Sequence, residues 1–328
     1  MTRRGLAASL IVRDETRTLT ACLGSLADLV DEIHVHDTGS TDGTPELAAE
    51  LGAKVTRGRW TDDFAAARNA ALLGWTSDWV LSIDADEQLI THAPALRELL
   101  DHSTAGALLV DIDNVEDTGG FTQQSLRLFR PALTSWEGRV HEQVIGRDEP
   151  LRFKAAPREV IVLSHDGYRT ATLLRAKGLR NAPLAQAALD QLALDASPDT
   201  AKVAATLLDL GRSLMAAGRS QDAVDTFEAI RDMFPGTPEW LMATDFLARM
   251  LLSDGLDEAG LILSEELRRA GARTSYCDWL AAQALVQLGF VEQARTLLSR
   301  IDDIIDPAGR RHCTATLHQL TALVARLR

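Results

Sequence analysis

The stretch that decides the fold is residues 79–87, which read WVLSIDADE. Its first five residues form a short, nearly continuous apolar run, which predicts a buried β-strand. Three carboxylates, those of Asp84, Asp86 and Glu87, follow directly. Mg²⁺ and Mn²⁺ prefer oxygen ligands, and Mg²⁺ is usually bound by one or two carboxylates plus substrate phosphates, so an Asp-x-Asp at a strand end suits either ion. An acidic turn that caps a following helix is the simpler alternative, and the surrounding sequence must decide.

The sequence around this stretch alternates between short strand-like runs and helical patterns. Strands alternating with helices favour an α/β domain, and longer irregular segments between the later strands favour a mixed sheet. The predicted strands are 6–12, 32–36, 53–56, 79–83, 107–112, 125–129 and 159–163. The predicted helices are 19–29, 46–51, 63–73 and 94–100, the last opening on Pro94.

The length of 328 residues exceeds what one hydrophobic core usually supports and predicts two domains. The strand signal ends near residue 170, and Ala and Leu at helical spacing dominate from there onward. We therefore predict an α/β domain over 1–171 and an all-helical domain over 172–328.

The helical half contains a repeated pattern, aligned on Ala223, Ala259 and Ala294, which lie 36 and 35 residues apart. This period is close to the roughly 34-residue helix-turn-helix unit of tetratricopeptide repeats. Small residues at such positions allow paired helices to approach closely. The pattern predicts a tetratricopeptide-like array.

The formal net charge of −13 argues against a general nucleic-acid binder, because phosphate neutralisation requires clustered Lys and Arg. The three cysteines, Cys22, Cys277 and Cys313, have no Cys-x-x-Cys spacing and are expected to be reduced thiols. The first apolar run is cut short at Arg13, and no later run approaches eighteen uncharged apolar residues. A cytoplasmic protein without a transmembrane segment is expected.

A second polar turn, HDTGSTDGT at 36–44, follows the strand predicted at 32–36. Ligands of open α/β sheets gather outside the carboxyl ends of strands, so Asp37 and Asp84 are expected to face one crevice. Residues 42–44 are typical of turn and helix-cap chemistry instead. Asp37 is therefore the stronger ligand candidate.

A third motif, DFAAARN at 63–69, places Arg68 and Asn69 inside a predicted helix of small residues. A buried arginine needs an anionic partner. Its planar donor fork suits either a diphosphate or the carboxylates near Asp84. A surface pair between Asp63 and Arg68 is the alternative.

In order and spacing, these motifs resemble the nucleotide-binding half of glycosyltransferase family 2, whose fold is called GT-A. The resemblance covers about residues 6–170 and lies in SLIVRDE (9–15), DTGSTDGT (37–44), ARNA (67–70) and DADE (84–87). It implies a nucleoside-diphosphate sugar donor, UDP-sugar before others, and Mn²⁺ or Mg²⁺ as cofactor. The sequence departs from the family at Arg13, where an aromatic residue is common, and at Asp14, where Asn is common.

The resemblance also implies roles for individual residues. Asp37 is expected to read the nucleobase, Arg68 to lie near the nucleotide, Asp84 to contact the ribose and Asp86 to bind the metal. The remaining residues expected beside the donor are Ile11, Arg13, Glu15 and Ala85.

A late histidine, His165, follows the last predicted strand. Its placement resembles that of the histidine that completes the metal shell in many GT-A enzymes. His141 competes with it for this role, and a structural role, which is common for a lone histidine, is the alternative for both.

The segments LRLFR (126–130) and WEGRVHE (136–142) resemble the acceptor side of a bacterial branch of the family that glycosylates lipopolysaccharide cores and peptides. Glu142 is the candidate catalytic base that takes the acceptor's proton. A buried pair between Glu142 and an arginine is the alternative, and Asp111 and Asp113 are the fallback bases. Trp136 and His141 are expected on the acceptor side, with Trp136 as a sugar-facing platform. The arginines considered as partners of Glu142 are Arg127 and Arg139.

The function implied is inverting, metal-dependent sugar transfer to a hydroxyl or thiol of a glycan, peptide or small molecule. A nucleotidyltransferase would need a basic, glycine-rich loop after the first strand, where this sequence has RDE at 13–15. A tetratricopeptide scaffold with a nucleotide-binding but non-catalytic domain is the other alternative. The helical domain is expected to select the acceptor or to join two subunits in a homodimer.

Overall fold

The computed structural model of this protein describes residues 5–116, 119–165 and 170–327. The chain divides into two compact units. The first comprises Met1–Val115 and Gln123–Tyr168, and the second comprises Glu116–Thr122 and Arg169–Arg328. The sequence pattern predicts the change of fold near residue 170 but does not predict that 116–122 groups with the helices.

The first unit is an α/β domain. Its helices are α1 (Leu19–Leu26), α2 (Thr44–Glu50), α3 (Phe64–Ala71) and α4 (Ala93–His102). Its strands are β1 (Leu6–Val12), β2 (Glu32–Asp37), β3 (Lys54–Arg57), β4 (Trp79–Ser82), β5 (Glu87–Thr91), β6 (Ala107–Glu116), β7 (Gly119–Phe129), β8 (Thr134–Glu137), β9 (Gln143–Gly146), β10 (Phe153–Ala155) and β11 (Ile161–His165). The end of β6 and the start of β7 belong to the second unit.

The main sheet has the strand order β3-β2-β1-β4-β7-β6-β11-β5, with β10 pairing on β6. Strand β1 runs parallel to β2 and β4, with Val12 opposite Asp37 and Ser9 opposite Ser82. Strand β7 is antiparallel to β4, and β5 is antiparallel to β11. The sheet is therefore mixed, as predicted, and the carboxyl ends of β1, β2 and β4 lie at one edge.

Strand β4 is buried along its whole length. Trp79, Leu81 and Ile83 belong to one apolar cluster and Val80 to another, so the run contributes to the core from both faces of the sheet. Full burial of one such side chain contributes about 1.5–3 kcal/mol. The predicted central strand is confirmed, and its burial holds the acidic turn that follows it.

The structure corrects several local predictions. The acidic turn leads into β5 and does not cap a helix. Asp63 is the N-cap of α3, where its carboxylate accepts a hydrogen bond from the backbone N of Ala66 at 2.8 Å, so it is not a surface partner of Arg68. Strands β5, β8, β9 and β10 were missed, because they are three to five residues long and none is a continuous apolar run.

The second unit is mainly helical. Its elements are α5 (Ala171–Ala193), α6 (Thr200–Ala216), α7 (Ser220–Met233), α8 (Pro238–Ser253), α9 (Asp257–Arg269), α10 (Thr274–Gln287), α11 (Val291–Leu298), β12 (Arg311–His312) and α12 (Ala315–Arg326). Among the helices described, none is long and apolar enough to cross a bilayer.

The predicted repeats are helix pairs, formed by α6 and α7, by α8 and α9, and by α10 and α11. The connecting turns contain glycines with φ of 79°, 74° and 84° at Gly218, Gly255 and Gly289, a conformation that favours glycine. Five residues after each comes a buried small residue, and these three are Ala223, Gly260 and Ala294. The alignment of the repeats by sequence was wrong by one residue in the second pair, where it matched Ala259 in place of Gly260. A Cβ on Gly260 would lie 2.6 Å from a Leu252 methyl group.

Candidate active site

The acidic turn after β4 is fixed by its own backbone and by α1. The backbone N of Asp84 donates to Glu87 Oε2 at 2.9 Å, and the backbone N of Glu87 donates to Asp84 O at 3.0 Å. The thiol of Cys22 on α1 also donates to Asp84 O, at 3.4 Å. The carboxylates of this turn therefore have defined positions at the sheet edge.

Arg68 on α3 joins the acidic turn to the acceptor-side segment. Its Nη2 donates to Asp84 Oδ1 at 2.8 Å, its Nη1 to Ser82 Oγ at 3.1 Å and its Nε to Glu142 Oε1 at 2.5 Å. Burial alone would lower the pKa of Arg68, but the charges of Asp84 and Glu142 outweigh burial and raise it. The anionic partner predicted for Arg68 is therefore the Asp84 cluster, and Glu142 joins it.

Arg127 on β7 is the second buried cation of this site. Its Nη2 donates to Asp84 Oδ2 at 3.2 Å and to Glu87 Oε1 at 2.7 Å. Burial raises the pKa of Asp84, but the charges of Arg68 and Arg127 outweigh burial and lower it. For Glu87 burial prevails over Arg127 and raises the pKa to about 6. Both oxygens of Asp84 thus accept from guanidinium groups, and its predicted ribose contact stays a prediction.

Asp86 and His165 approach each other next to this cluster, with 3.2 Å between Asp86 Oδ2 and His165 Nε2. Asn114 on β6 fixes the histidine: its Nδ2 donates to Ile112 O at 3.3 Å, which turns its Oδ1 toward His165 Nδ1 at 2.8 Å. With Nδ1 facing Asn114, Nε2 is the ring nitrogen that faces the Asp86 carboxylate. An imidazole nitrogen and a carboxylate oxygen are both suitable ligands for a divalent cation.

This pair can hold a divalent cation only with further ligands. Among residues 5–116, 119–165 and 170–327, no group of three His, Cys, Asp or Glu side chains is arranged to hold a metal ion. Mg²⁺ usually binds through one or two carboxylates and the phosphates of its substrate, and imidazole and carboxylate ligands are both suitable for Mn²⁺. The donor set therefore fits a metal that arrives with, or is completed by, a diphosphate.

The predicted nucleobase side lies at the same sheet edge, where β1 and β2 end. The Asp37 carboxylate is buried and accepts from the backbone N of Gly39 and Ser40, each at 3.2 Å. Asp14 has φ of 57°, and its Oδ1 accepts from the backbone N of Thr41 at 2.7 Å. Asp and Asn tolerate this left-handed conformation best among residues other than glycine, which explains why Asp can stand where the family often has Asn.

The other predicted donor residues are near this edge or the acidic turn. Ile11 lies on β1 opposite His36, Arg13 is exposed, and Ala85 is buried within the turn. The backbone N of Glu15 donates to Thr44 Oγ1 at 2.8 Å. Contact of Ile11, Arg13, Glu15 and Ala85 with a donor stays a prediction.

The acceptor-side predictions are revised in two places. Trp136 is 9 % exposed, packs edge-to-face on Phe129 and lies under the Arg68 guanidinium, 4.9 Å from its ring centroid. It is a packing residue in this structure, and it does not form an open sugar platform. The arginine partner of Glu142 is Arg68, and neither Arg127 nor Arg139 takes that place. His141 is half-buried with φ of 53°.

The fallback bases, Asp111 and Asp113, are both paired with Arg158. Its Nη1 lies 3.3 Å from Asp111 Oδ2, and its Nη2 lies 2.6 Å from Asp113 Oδ2. Arg158 is half exposed, so solvent screens both pairs and weakens them. Either carboxylate is therefore held less firmly than Glu142.

Sequence reasoning gave no role to Asn69 or Asn114, and it considered Arg127 only as a partner of Glu142. The first binds the backbone of β8, the second orients His165 and the third holds the acidic turn. Each is a polar residue inside a buried strand or helix, and that was the available signal. The sequence contains no information on which partner each one meets.

Comparisons with known proteins identify the family of the first unit and several relatives of the chain. The family model described as glycosyl transferase family 2 matches residues 10–180. A TPR repeat-containing protein of Synechococcus elongatus is 52% identical over 102 residues, which are 31% of this chain and 25% of that protein. The glycosyltransferase SunS of Bacillus subtilis is 28% identical over 229 residues, 67% of this chain and 51% of SunS. The chain thus spans about a quarter and about half of these two curated relatives.

A solved structure of residues 1–349 of S. aureus TarS is 14% identical to this chain, with a TM-score of 0.40 and coverage of 89% of this chain and 90% of that fragment. A solved structure of glucosyl-3-phosphoglycerate synthase from Mycobacterium tuberculosis is 29% identical, with a TM-score of 0.28. It covers 34% of this chain and 44% of the synthase.

Proposed function

Since the chain belongs to glycosyltransferase family 2, we propose that it transfers a sugar from a nucleoside-diphosphate sugar to the hydroxyl or thiol of an acceptor. The observation that carries this proposal is the Asp86–His165 pair beside the Arg68 and Arg127 cluster. A paired imidazole and carboxylate next to buried guanidinium groups suits a diphosphate and its cation.

The donor is proposed to be a UDP-sugar, with its nucleobase near Asp37 and its diphosphate near Asp86 and His165. Mn²⁺ or Mg²⁺ held by these two residues would neutralise the charge that develops on the departing diphosphate. Arg68 and Arg127 keep the acidic turn in place and offset part of its negative charge, so that an anionic donor can approach.

The proposed chemistry is a single displacement. The acceptor oxygen or sulfur forms a bond to the anomeric carbon as the bond from that carbon to the diphosphate oxygen breaks, and the acceptor's proton passes to Glu142. Attack from the side opposite the leaving group inverts the configuration of the sugar. Arg68 holds Glu142 through Oε1 at 2.5 Å, which orients the carboxylate for this role.

Nucleotide binding is the first test. We would measure calorimetric and thermal-shift responses to UDP, GDP and TDP, each with and without Mn²⁺. The proposal expects Mn²⁺-dependent stabilisation by one diphosphate, lost in Asp86→Ala. It expects no loss in Asp148→Ala, which removes an exposed carboxylate outside the site. A folded protein that binds none of the three would overturn the proposal.

Turnover is the second test. Release of the nucleoside diphosphate from each nucleotide sugar measures hydrolysis, in which water is the acceptor. Proton NMR of the freed sugar reports its anomeric configuration. Inversion is expected. Mn²⁺-dependent binding without turnover of any sugar nucleotide or transfer to candidate acceptors would favour the nucleotide-binding scaffold instead.

The role of the helical unit is also proposed: it selects the acceptor or joins two copies of the chain. Light scattering of the full chain checks the second possibility. A monomer at micromolar concentration would leave acceptor selection as the proposed role.

A further inference from the structure

Asn69 on α3 binds one residue of the acceptor-side segment at both of its backbone groups. Its Nδ2 donates to Trp136 O at 2.9 Å, and the backbone N of Trp136 donates to Asn69 Oδ1 at 2.9 Å. The side-chain amide therefore matches the donor and acceptor pattern that a neighbouring strand would present.

The pairing of β8 with β9 explains why Trp136 needs such a partner. Trp136 lies opposite Val144 in this antiparallel pair. Its N and O both bond to Asn69, so they point away from β9, as they do in a non-hydrogen-bonded pair. An unsatisfied buried backbone group costs about 1–3 kcal/mol, so losing Asn69 would release this edge of β8.

Helix α3 holds the residues after Trp136 at two further points. The backbone N of Phe64 donates to Arg139 O at 2.9 Å, and Arg68 pairs with Glu142. The segment also contains a tight turn at Gly138, with φ of 107°, where an added Cβ would lie 3.3 Å from Glu142 Cα. The conformation of 136–142 is therefore set largely by α3.

Arg68 and Asn69 are adjacent in sequence but contact different parts of the site. Arg68 binds the acidic turn and Glu142 together, so any change to it affects both the donor side and the acceptor side. The two side-chain hydrogen bonds described for Asn69 both go to Trp136, on the acceptor-side segment alone.

We propose that Asn69 is a positioning residue for the catalytic carboxylate: by holding Trp136, it places the segment 137–142 and the side chain of Glu142 against the acidic turn. This inference rests on the proposed function, in which Glu142 is the base. Misplacing a reacting group by about 1 Å can cost roughly 100-fold in rate, so holding the segment matters even though Asn69 touches no substrate.

Asn69→Ala removes both hydrogen bonds, and Asn69→Asp keeps an acceptor but loses the donor. In both variants, we expect kcat for UDP-sugar hydrolysis to fall roughly 10- to 100-fold, with KM for the donor and affinity for UDP with Mn²⁺ unchanged within about twofold. The matched control is Asn181→Ala, a helical asparagine whose described side-chain contact is with Arg180. It should change none of these values.

A double-mutant cycle tests whether Asn69 acts through the base. If it does, Asn69→Ala should lower kcat by less than about twofold when added to Glu142→Gln. Full additivity of the two effects would overturn the proposal, because a residue that only stabilises the fold has the same effect with either residue at 142.

Hydrogen exchange distinguishes failure of this inference from failure of the proposed function. We expect the amides of 134–146 to exchange faster in Asn69→Ala, while those of the acidic turn, 84–87, stay as in the wild type. If the wild type hydrolyses no sugar nucleotide, the proposed function fails, whereas the exchange result still decides whether Asn69 holds the segment. The positioning role would be overturned if exchange at 134–146 is unchanged, or if Asn69→Ala lowers UDP affinity by as large a factor as it lowers kcat.

Discussion

Both units bury charged clusters, yet the two clusters are built differently. In the first unit, Arg68 and Arg127 gather carboxylates that are distant in sequence. In the second unit, two arginines pair locally with buried aspartates: Arg249 with Asp245 and Arg310 with Asp306 are each four residues apart.

Aromatic rings enclose the cluster of the second unit. The Arg310 guanidinium lies over the rings of Phe121 and Phe246, at 5.5 and 5.7 Å from their centroids. The Asp306 carboxylate accepts from Arg310 Nε at 2.6 Å and from His312 Nε2 at 3.0 Å. The partners of Asp306 thus lie within six residues of it in sequence, whereas Arg310 Nη2 is buried without a hydrogen-bond partner among the described residues.

The difference teaches that burial of charge does not by itself identify a functional site. Two features distinguish the first cluster: its carboxylates outnumber its arginines, and its members come from elements distant in sequence, namely α3, the turn after β4, β7 and the segment between β8 and β9. A buried ion pair is weak evidence of stabilisation, because the cost of desolvating both charges can exceed their mutual attraction. Convergence of distant elements is necessary when several groups must meet one ligand.

The largest effect is expected from Arg68→Ala. The substitution leaves Asp84 and Glu142 without their shared guanidinium, and breaking a buried pair in this way costs about 3–5 kcal/mol of the free energy of unfolding. Urea unfolding measures it. The control is Arg57→Ala, which removes an exposed pair with Glu46 and should cost less than about 1 kcal/mol. Equal losses in both variants would show that the Arg68 cluster is no stronger than a surface pair.

The next largest effect is expected from Asp306→Asn in the second unit. The substitution weakens the bonds to Arg310 and His312, at a cost of about 2–3 kcal/mol. Nucleotide affinity should be unchanged, as expected for a cluster that serves the fold alone. Urea unfolding and UDP titration with Mn²⁺ check the two parts, and a weaker UDP complex would break the contrast between the clusters.

A smaller effect is expected from Asn114→Ala, which releases His165 Nδ1. Residues that orient a metal-binding histidine typically contribute 10- to 100-fold to metal affinity, so Mn²⁺ binding in the presence of UDP should weaken by about that factor. Calorimetry measures the affinity. Wild-type Mn²⁺ affinity in the variant would remove His165 from the proposed metal site.

Much of the difference between the two buried clusters could not be predicted from the sequence. The apolar run before Asp84 predicted the central strand and the acidic turn, because a fully buried strand has consecutive apolar residues. The sequence predicted the carboxylates near Asp84 as one of two candidate partners of Arg68. It did not predict Glu142 as a partner, because Glu142 lies between two four-residue strands that have no clear sequence pattern. Residues 120–122 contact the rest of the second unit through the pairing of β7 with β12 and through Phe121 beside Arg310, and contacts this distant in sequence leave no local pattern.

The smallest effect is expected from pH, and its sign should differ between the clusters. Burial raises the pKa of Asp306, but the hydrogen bond from His312 and the charge of Arg310 outweigh burial and lower it below its usual 3.8. A carboxyl whose folded pKa is lowered stabilises the fold above its unfolded pKa, and that contribution is lost as pH falls through the folded pKa. For Glu87, burial raises the pKa to about 6 from its usual 4.5. Its contribution is therefore present below about 4.5 and is lost as pH rises toward 6.

Unfolding free energies measured from pH 3 to pH 7 separate these two groups. Glu87→Gln should flatten the decline between pH 4.5 and 6, which amounts to about 1–2 kcal/mol, and Asp306→Asn should flatten only the acid side below pH 3.8. The two variants act in separate pH windows, so each serves as the control for the other. If Glu87→Gln leaves the profile between pH 4.5 and 6 unchanged, Arg127 compensates the burial of Glu87 fully, and the expected difference in pH dependence between the two clusters is absent.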